Sequence, residues 1–385
     1  MLLIKNAMLA MLYFFSNILL PPFNICILFF VIALFFALLL NHLLLKYLHE
    51  LGQARKRKNE ANLVRWASSA KPAIGGFSFL ILFLLSISAY FVLPLENSPP
   101  LSHLQIFGLI SSSTLGFLVG LIDDTYNTPP SFKFFGQLAC AALMIFSGVM
   151  IMISNSLIIN VLITIFWVVG VMNSVNMLDN MDGITTSVGS IIVASCLFLL
   201  LSHNFANQSF YIIILVGVLA GLLGFLFFNW HPSKMYMGDT GSQFLGAFLA
   251  FISILFLWNF GLPNVEKISW TQSFLLPITL FLMSLIDTAT VFIRRIARRQ
   301  SPFVGGRDHT THHLAYCGLK DGQVALFFVI SSSVSAFLAF WIVNNWAFWT
   351  HEHTFLVLGY WVFVFMSMQF FYDKGKEKML AKEEK

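Results

Sequence analysis

Between Glu96 and Glu266 the only acidic residues are Asp123, Asp124, Asp179, Asp182 and Asp239. All five are aspartate, the shorter and stiffer carboxylate, which suits a compact oxygen-donor site for a divalent ion such as Mg²⁺. Asp179 and Asp182 close the stretch NSVNMLDNMDG, in which Asn173, Asn176, Asp179 and Asp182 recur every third residue. Positions three apart are neighbours on a helix, so this spacing predicts one slowly winding polar strip. Long apolar runs flank the strip on both sides. Carboxylates at the end of a membrane span are costly to place unless they hold something. Helix caps would account for one or two of the five; the set points to a site.

Three further loops carry chemistry. In GLIDDTYNTPPSFKFFGQ, Pro129-Pro130 breaks the chain before a helix expected near Phe132, which puts Lys133 and Gln137 one turn apart facing the loop. Two adjacent carboxylates followed by a lysine can bind a cation and an anion together, as in a metal–phosphate complex. In FFNWHPSKMYMGDTGSQFLG, Thr240 and Gln243 have the spacing of a capping box, and His231 and Lys234 lie on the approach. The N–H groups at such a helix start favour a phosphate or carboxylate. In RRIARRQSPFVGGRDHTTHHLAYCGL, Arg307 and Asp308 lead to His309, His312 and His313. His309 and His313 have the spacing for one helical face. No HExxH glutamate follows His309, so this loop reads as a phosphate or nucleotide grip rather than a zinc site. Asp287, inside an apolar run, reads as its buried partner. A fourth stretch, KPAIGG, brings Lys71 to the head of a span where Gly75-Gly76 permits close approach of either a helix or a ligand.

The elements that must position these residues are membrane helices. Of 385 residues, 58% are hydrophobic and 10% charged, against about a quarter charged in a soluble domain. Apolar runs recur near 24–46, 74–95, 103–122, 135–153, 157–174, 184–202, 210–228, 243–260, 272–292, 322–346 and 354–372. A weaker run at 5–21 merges with the first. The expectation is an all-α polytopic protein of about 11 spans, a single domain over 1–385 with its motifs in 71–314. The N-terminal run lacks a small-residue cleavage pattern before Pro21-Pro22 and reads as retained. The four cysteines are scattered and read as packing residues. The net charge of +5 does not signal nucleic acid: 20 of 22 Lys and Arg fall in 46–72, 123–137, 229–242, 294–320 and 373–385. By the positive-inside rule those segments, and the aspartate loops, face the cytoplasm. The tail DKGKEKMLAKEEK, 373–385, reads as a solvated charge run with no chemistry of its own.

With these loops side by side, the chain resembles the polyprenyl-phosphate N-acetylhexosamine-1-phosphate transferases of glycosyltransferase family 4. The resemblance runs from Lys71 to Leu314 and rests on KPAIGG, GLIDDTYN with KFFGQ, NSVNMLDNMDGI, FNWHPSKMYMGDTGS and the Arg/His loop. It implies attack of undecaprenyl phosphate on a UDP-HexNAc at the bacterial inner membrane. UMP leaves, and the lipid product starts a cell-envelope polysaccharide such as O-antigen or teichoic acid. It further implies Asn176 and Asp239 as ligands of Mg²⁺, with Mn²⁺ as a substitute. Asp123, Asp124, Asp179, Asp182 and Lys133 would be catalytic. Lys71, Asn173, Asn176, Arg307, His309, His312 and His313 would bind substrate. The translocase branch of the family carries three consecutive histidines; here His309 and His312-His313 are split by two threonines, which favours the GlcNAc-type branch. A homodimer is compatible with the family. The alternative is a transporter or flippase, but transporters place ionisable residues near the bilayer midplane, and these acids gather at one interface.

Overall fold

The computed structural model of the chain describes residues 21–59, 71–93, 102–202, 208–260, 270–301, 306 and 308–383. The weak run at 5–21 lies outside the described residues. Thirteen α-helices follow in order: α1 (Pro21–Asn59), α2 (Gly75–Val92), α3 (His103–Tyr126), α4 (Pro130–Phe146), α5 (Leu157–Leu178), α6 (Ile184–Ser202), α7 (Ser209–Asn229), α8 (Gly238–Ser253), α9 (Trp270–Leu280), α10 (Leu282–Ala297), α11 (Thr310–Tyr316), α12 (Asp321–Asn344) and α13 (His351–Glu383). No strand occurs among the described residues. Nine helices there are long and apolar enough to cross a membrane, and α9 with α10 makes a tenth span bent by 83°. The 17-residue α4 completes the eleven apolar segments expected from residue 24 onward. The protein is a multi-pass membrane protein.

Helix α4 departs from its expected bounds at both ends. Pro130 occupies its first turn, where a missing N–H costs nothing, so the helix starts early. It stops at Phe146 because Gly148 takes a φ of +81°.

Helix α8, continued by a wider turn to Trp258, is the axis of the bundle. Its span is 94% buried, against 17% for those of α1 and α13. Helices α2, α3 and α5 pack around it. Two glycines set how closely. A Cβ on Gly120 of α3 would lie 2.1 Å from the Asp239 carbonyl oxygen, and one on Gly76 of α2 would lie 2.4 Å from the Gly241 nitrogen. Three helices thus meet backbone to backbone at the basic end of the bundle. The second glycine of KPAIGG therefore serves helix packing. Just before α2, Tyr236 N–H donates to the Pro72 carbonyl at 3.0 Å, and Gly75 N–H to the Tyr236 carbonyl at 3.0 Å. These bonds join the KPAIGG stretch to the loop that leads into α8.

Candidate active site

A helix N-terminus carries backbone N–H groups with no partner in the helix. At α8 the partner comes from another helix. Asp124, near the end of α3, accepts from Asp239 N–H at 3.1 Å, Thr240 N–H at 2.9 Å and Thr240 Oγ1 at 2.6 Å. Both carboxylate oxygens are engaged. The expected capping box from Thr240 to Gln243 does not form, because α8 already begins at Gly238 and Thr240 lies inside its first turn. Gln243 instead accepts from Gln137 Nε2 at 3.3 Å, and Gln137 exchanges bonds with Asn173 at 2.7 and 3.3 Å.

Asp239, in that first turn, faces outward to a second set of partners. The Lys133 ammonium lies 2.8 Å from Asp239 Oδ2 and 2.7 Å from Asp123 Oδ2. Asn176 Nδ2 donates to Asp239 Oδ1 at 2.5 Å and to Ser242 Oγ at 2.8 Å. Asp123 is buried, and its other oxygen accepts from both the N–H and the hydroxyl of Thr128. Residues from α3, α4 and α8 therefore meet at one ammonium group, and α5 joins them through the bond of Asn176 to Asp239.

The polar strip predicted through Asn173, Asn176, Asp179 and Asp182 is cut short. Helix α5 ends at Leu178, Asp179 is its C-cap, and the chain turns through Gly183 at φ +75°. Asn173 and Asn176 keep their helical relation; the two aspartates part company. Asp179 stays with the first cluster. Burial, and then the charges of Asp239, Asp124 and Asp182, push its carboxyl up to about 8. It makes no hydrogen bond or ion pair with another described side chain. Asp182 turns to a second cluster, accepting from Ser233 N–H at 3.0 Å, Ser233 Oγ at 2.8 Å and His231 Nδ1 at 3.1 Å, with Lys71 Nζ at 3.6 Å. Burial opposes its charge, but the Ser233 bonds, Lys71 and His231 hold it below the usual carboxylate range. Asn229 ties the two loops together, accepting from Gly183 N–H at 3.2 Å and Thr186 Oγ1 at 2.7 Å while donating to the Met235 carbonyl at 3.0 Å.

The histidines belong to α11. His309 precedes that helix in extended conformation, φ −70° and ψ 153°. Helical spacing therefore does not run from it, and the expected His309–His313 face is not formed. The rings of His309 and His312 meet instead, 5.6 Å apart edge to face, while His313 packs on Tyr372 of α13 at 4.1 Å. Asp287 meets the loop as expected, 2.9 Å from His309 Nδ1 and accepting Thr310 N–H at 3.0 Å. Asp308 forms a two-point pair with Arg295 at 2.6 and 2.8 Å. Thr311 Oγ1 donates to Asn180 Oδ1 at 2.6 Å, which places α11 against the turn that carries Asp179. Burial, then the proximity of His309, lowers His312 to about 3; burial, then Arg294, lowers His313 to about 4. Both rings are neutral at pH 7. Arg307 lies outside the described residues.

Residues 106–257 match the family model described as glycosyl transferase family 4. A probable undecaprenyl-phosphate N-acetylglucosaminyl 1-phosphate transferase of Bacillus subtilis is 29% identical over 212 residues, 53% of this chain and 56% of that protein. A phospho-N-acetylmuramoyl-pentapeptide-transferase of Staphylococcus carnosus is 26% identical over 336 residues, 81% of this chain and 97% of that protein. Over residues 106–257 the chain is similar to glycosyl transferase family 4. A decaprenyl-phosphate N-acetylglucosaminephosphotransferase of Mycobacterium leprae, 28% identical over 244 residues, covers 57% of this chain and 60% of its own length. The match thus spans little more than half of the Bacillus relative but nearly all of the Staphylococcus one.

The matched residues hold every aspartate from Asp123 to Asp239, whereas Lys71 and the histidine helix lie outside them. Sequence reading missed Thr128, Asn180, Asn229, Ser233 and Tyr372. Each is a single polar residue in a loop or at a helix end, where its type alone signals nothing beyond a turn or an interface. Among the described residues no three His, Cys, Asp or Glu side chains form a ready-made metal cage.

Proposed function

We propose that this protein transfers a HexNAc-1-phosphate unit, GlcNAc-1-phosphate by preference, from a UDP-sugar to undecaprenyl phosphate. The observation that carries this reading is Lys133 held between Asp123 and Asp239, beside Asn176 and the unshared carboxyl of Asp179. Phosphoryl transfer asks a protein for charge neutralisation and in-line positioning more than for covalent chemistry. This cluster supplies both. The names of the Bacillus and Mycobacterium relatives, which pair a prenyl phosphate with N-acetylglucosamine phosphate, support the acceptor and donor classes. The split histidines support a GlcNAc-type donor over a muramyl-pentapeptide one.

An oxygen of the lipid phosphate attacks the β-phosphorus of the UDP-sugar. The bond from the β-phosphorus to the bridging oxygen breaks, and UMP leaves with that oxygen and the electron pair. Asp123, fixed by Thr128, orients the acceptor phosphate and takes any proton it still carries. Lys133 neutralises the charge that builds on the phosphoryl oxygens. Asp124 positions Asp239 by holding the start of α8 and touches neither substrate. The turn at Asp179 and the Lys71–Asp182 cluster face the nucleotide side, with His309 and His312 beside them. The carboxylates of Asp239 and Asp123 and the amide of Asn176 are hard oxygen donors, few enough to leave positions for substrate oxygens, which is how Mg²⁺ binds. When bound, Mg²⁺ would neutralise the diphosphate and polarise the attacked phosphorus. The basic loops support a site at the cytoplasmic face of the bacterial inner membrane.

The test uses purified full-length protein, undecaprenyl phosphate, Mg²⁺ and a panel of UDP-HexNAc donors, with mass detection of lipid and nucleotide products. The expected result is a lipid gaining one HexNAc-phosphate for each UMP released, lost on chelation and restored by Mg²⁺ or Mn²⁺. No lipid product from any donor overturns the proposal. Turnover that survives chelation removes the metal from it.

A further inference from the structure

Helix α11 has seven residues, and an isolated helix that short does not hold itself together in water. Something else must decide where His309 and His312 stand. At its start, Asp287 of α10 accepts Thr310 N–H. Along its side and at its end the support comes from α13. That helix runs 33 residues, His351 to Glu383, or about 50 Å, well beyond the roughly 30 Å of a hydrocarbon layer. Its last turns, rich in charge, therefore project past the membrane at the basic end.

The projecting part carries one inward stripe. Met368, Tyr372 and Gly375 are buried at helical spacing while Asp373, Lys374, Lys376 and Glu377 are exposed. The Tyr372 ring has the Arg294 guanidinium 3.4 Å from its centroid and His313 at 4.1 Å, and its hydroxyl accepts from Arg298. Such a ring binds the ends of α10 and α11 to one point. A Cβ on Gly375 would lie 2.5 Å from the His313 carbonyl oxygen and 2.9 Å from its Cα, so glycine lets the two helices touch. Lys378 Nζ donates to the Cys317 carbonyl at 2.7 Å, closing the C-terminal end of α11. The tail has a purpose in the fold that its composition conceals.

We infer that the projecting end of α13 is a positioning element for the sugar-nucleotide donor, acting through Tyr372 and Gly375 on the histidine helix. The inference rests on the transferase reading above, in which that helix borders the donor side. Neither residue touches substrate. Losing either should therefore loosen donor binding and leave the acceptor lipid unaffected.

The test compares Tyr372→Ala, Gly375→Val and Tyr372→Phe in the full-length protein. Two readouts are taken: donor and acceptor kinetics, and the labelling rate of Cys317 by a charged maleimide. Cys317 is the one cysteine outside the apolar spans, and its Sγ lies 3.5 Å from the Phe371 carbonyl under α13. Tyr372→Ala and Gly375→Val should each raise the donor KM at least fivefold, with kcat and the acceptor KM within twofold, and should speed labelling. Tyr372→Phe keeps the ring between Arg294 and His313 and should stay within twofold on every measure. Faster labelling with an unchanged donor KM overturns the positioning role. Unchanged labelling overturns the clamp itself. A fall in kcat at constant KM in both variants marks lost folded protein and also overturns the role. If the wild type uses no donor, the transferase reading fails and the role with it, while labelling still reports whether α13 covers α11.

Discussion

Asp123, Asp124 and Asp239 stand on helices of 24 and 16 residues, whereas His309, His312 and His313 stand at or within a helix of seven. Both groups are found at the basic end of the bundle, and both are tied by hydrogen bonds across helices. Their supports differ in kind. The aspartates inherit their positions from α3 and α8, which meet backbone to backbone at Gly120, and α8 is buried along nearly its whole length. The histidines depend on side chains of α10 and α13, Asp287 and Tyr372 above all. A site assembled this way has one half that packing makes rigid and another whose position can be altered by a single substitution far from the chemistry.

That contrast can be broken from either side. The largest effect is expected at Asp239→Asn. Turnover should fall about 10³-fold or more, the scale of losing a charge aimed at a transition state, while membrane insertion and the thermal midpoint stay near wild type. Wild-type activity in this variant would remove Asp239 from the chemistry. A smaller effect is expected at Asp287→Asn, which weakens the support of His309 and Thr310 without touching the aspartates. Activity should drop roughly 10-fold, as when a supporting hydrogen bond to a site residue is lost, and should appear as a higher donor KM. A loss as deep as that of Asp239→Asn would erase the distinction between the two halves.

The smallest effect is one of pH. His312 and His313 titrate at about 3 and 4 in the folded protein, and near 6.5 when unfolded. Between those limits the unfolded chain binds more protons, so these rings withdraw stability as pH falls from 6.5 toward 4. Asp179, raised to about 8 in the fold, acts with the opposite sign over most of the same range. The informative quantity is therefore a difference. The thermal midpoint of the wild type should drop more between pH 7 and pH 5 than that of His312→Gln. Equal drops would mean that His312 is not held neutral.

Much of this molecule can be read along the chain. The eleven apolar segments follow from hydrophobic runs long enough to span a bilayer, because a chain in lipid must satisfy its backbone internally and the helix does so locally. The five aspartates stand out because carboxylates are expensive at a membrane interface and these share one residue type. Asp287 was legible for the same reason, as a charge with no business in an apolar run.

What only the tertiary structure decided is which partner each polar group meets. Asp123 and Asp124 are adjacent in sequence, yet one faces Lys133 and the other is given over to the start of α8. Asp179 and Asp182 look like one strip, yet the helix ends between Asn176 and Asp179, and the two carboxylates turn to different clusters. His313 looks like the partner of His309 and belongs to Tyr372. Periodicity describes neighbours within one helix. Bonds such as that of Thr240 to Asp124 join positions 116 apart, and they exist only once α2, α3, α5 and α8 have packed.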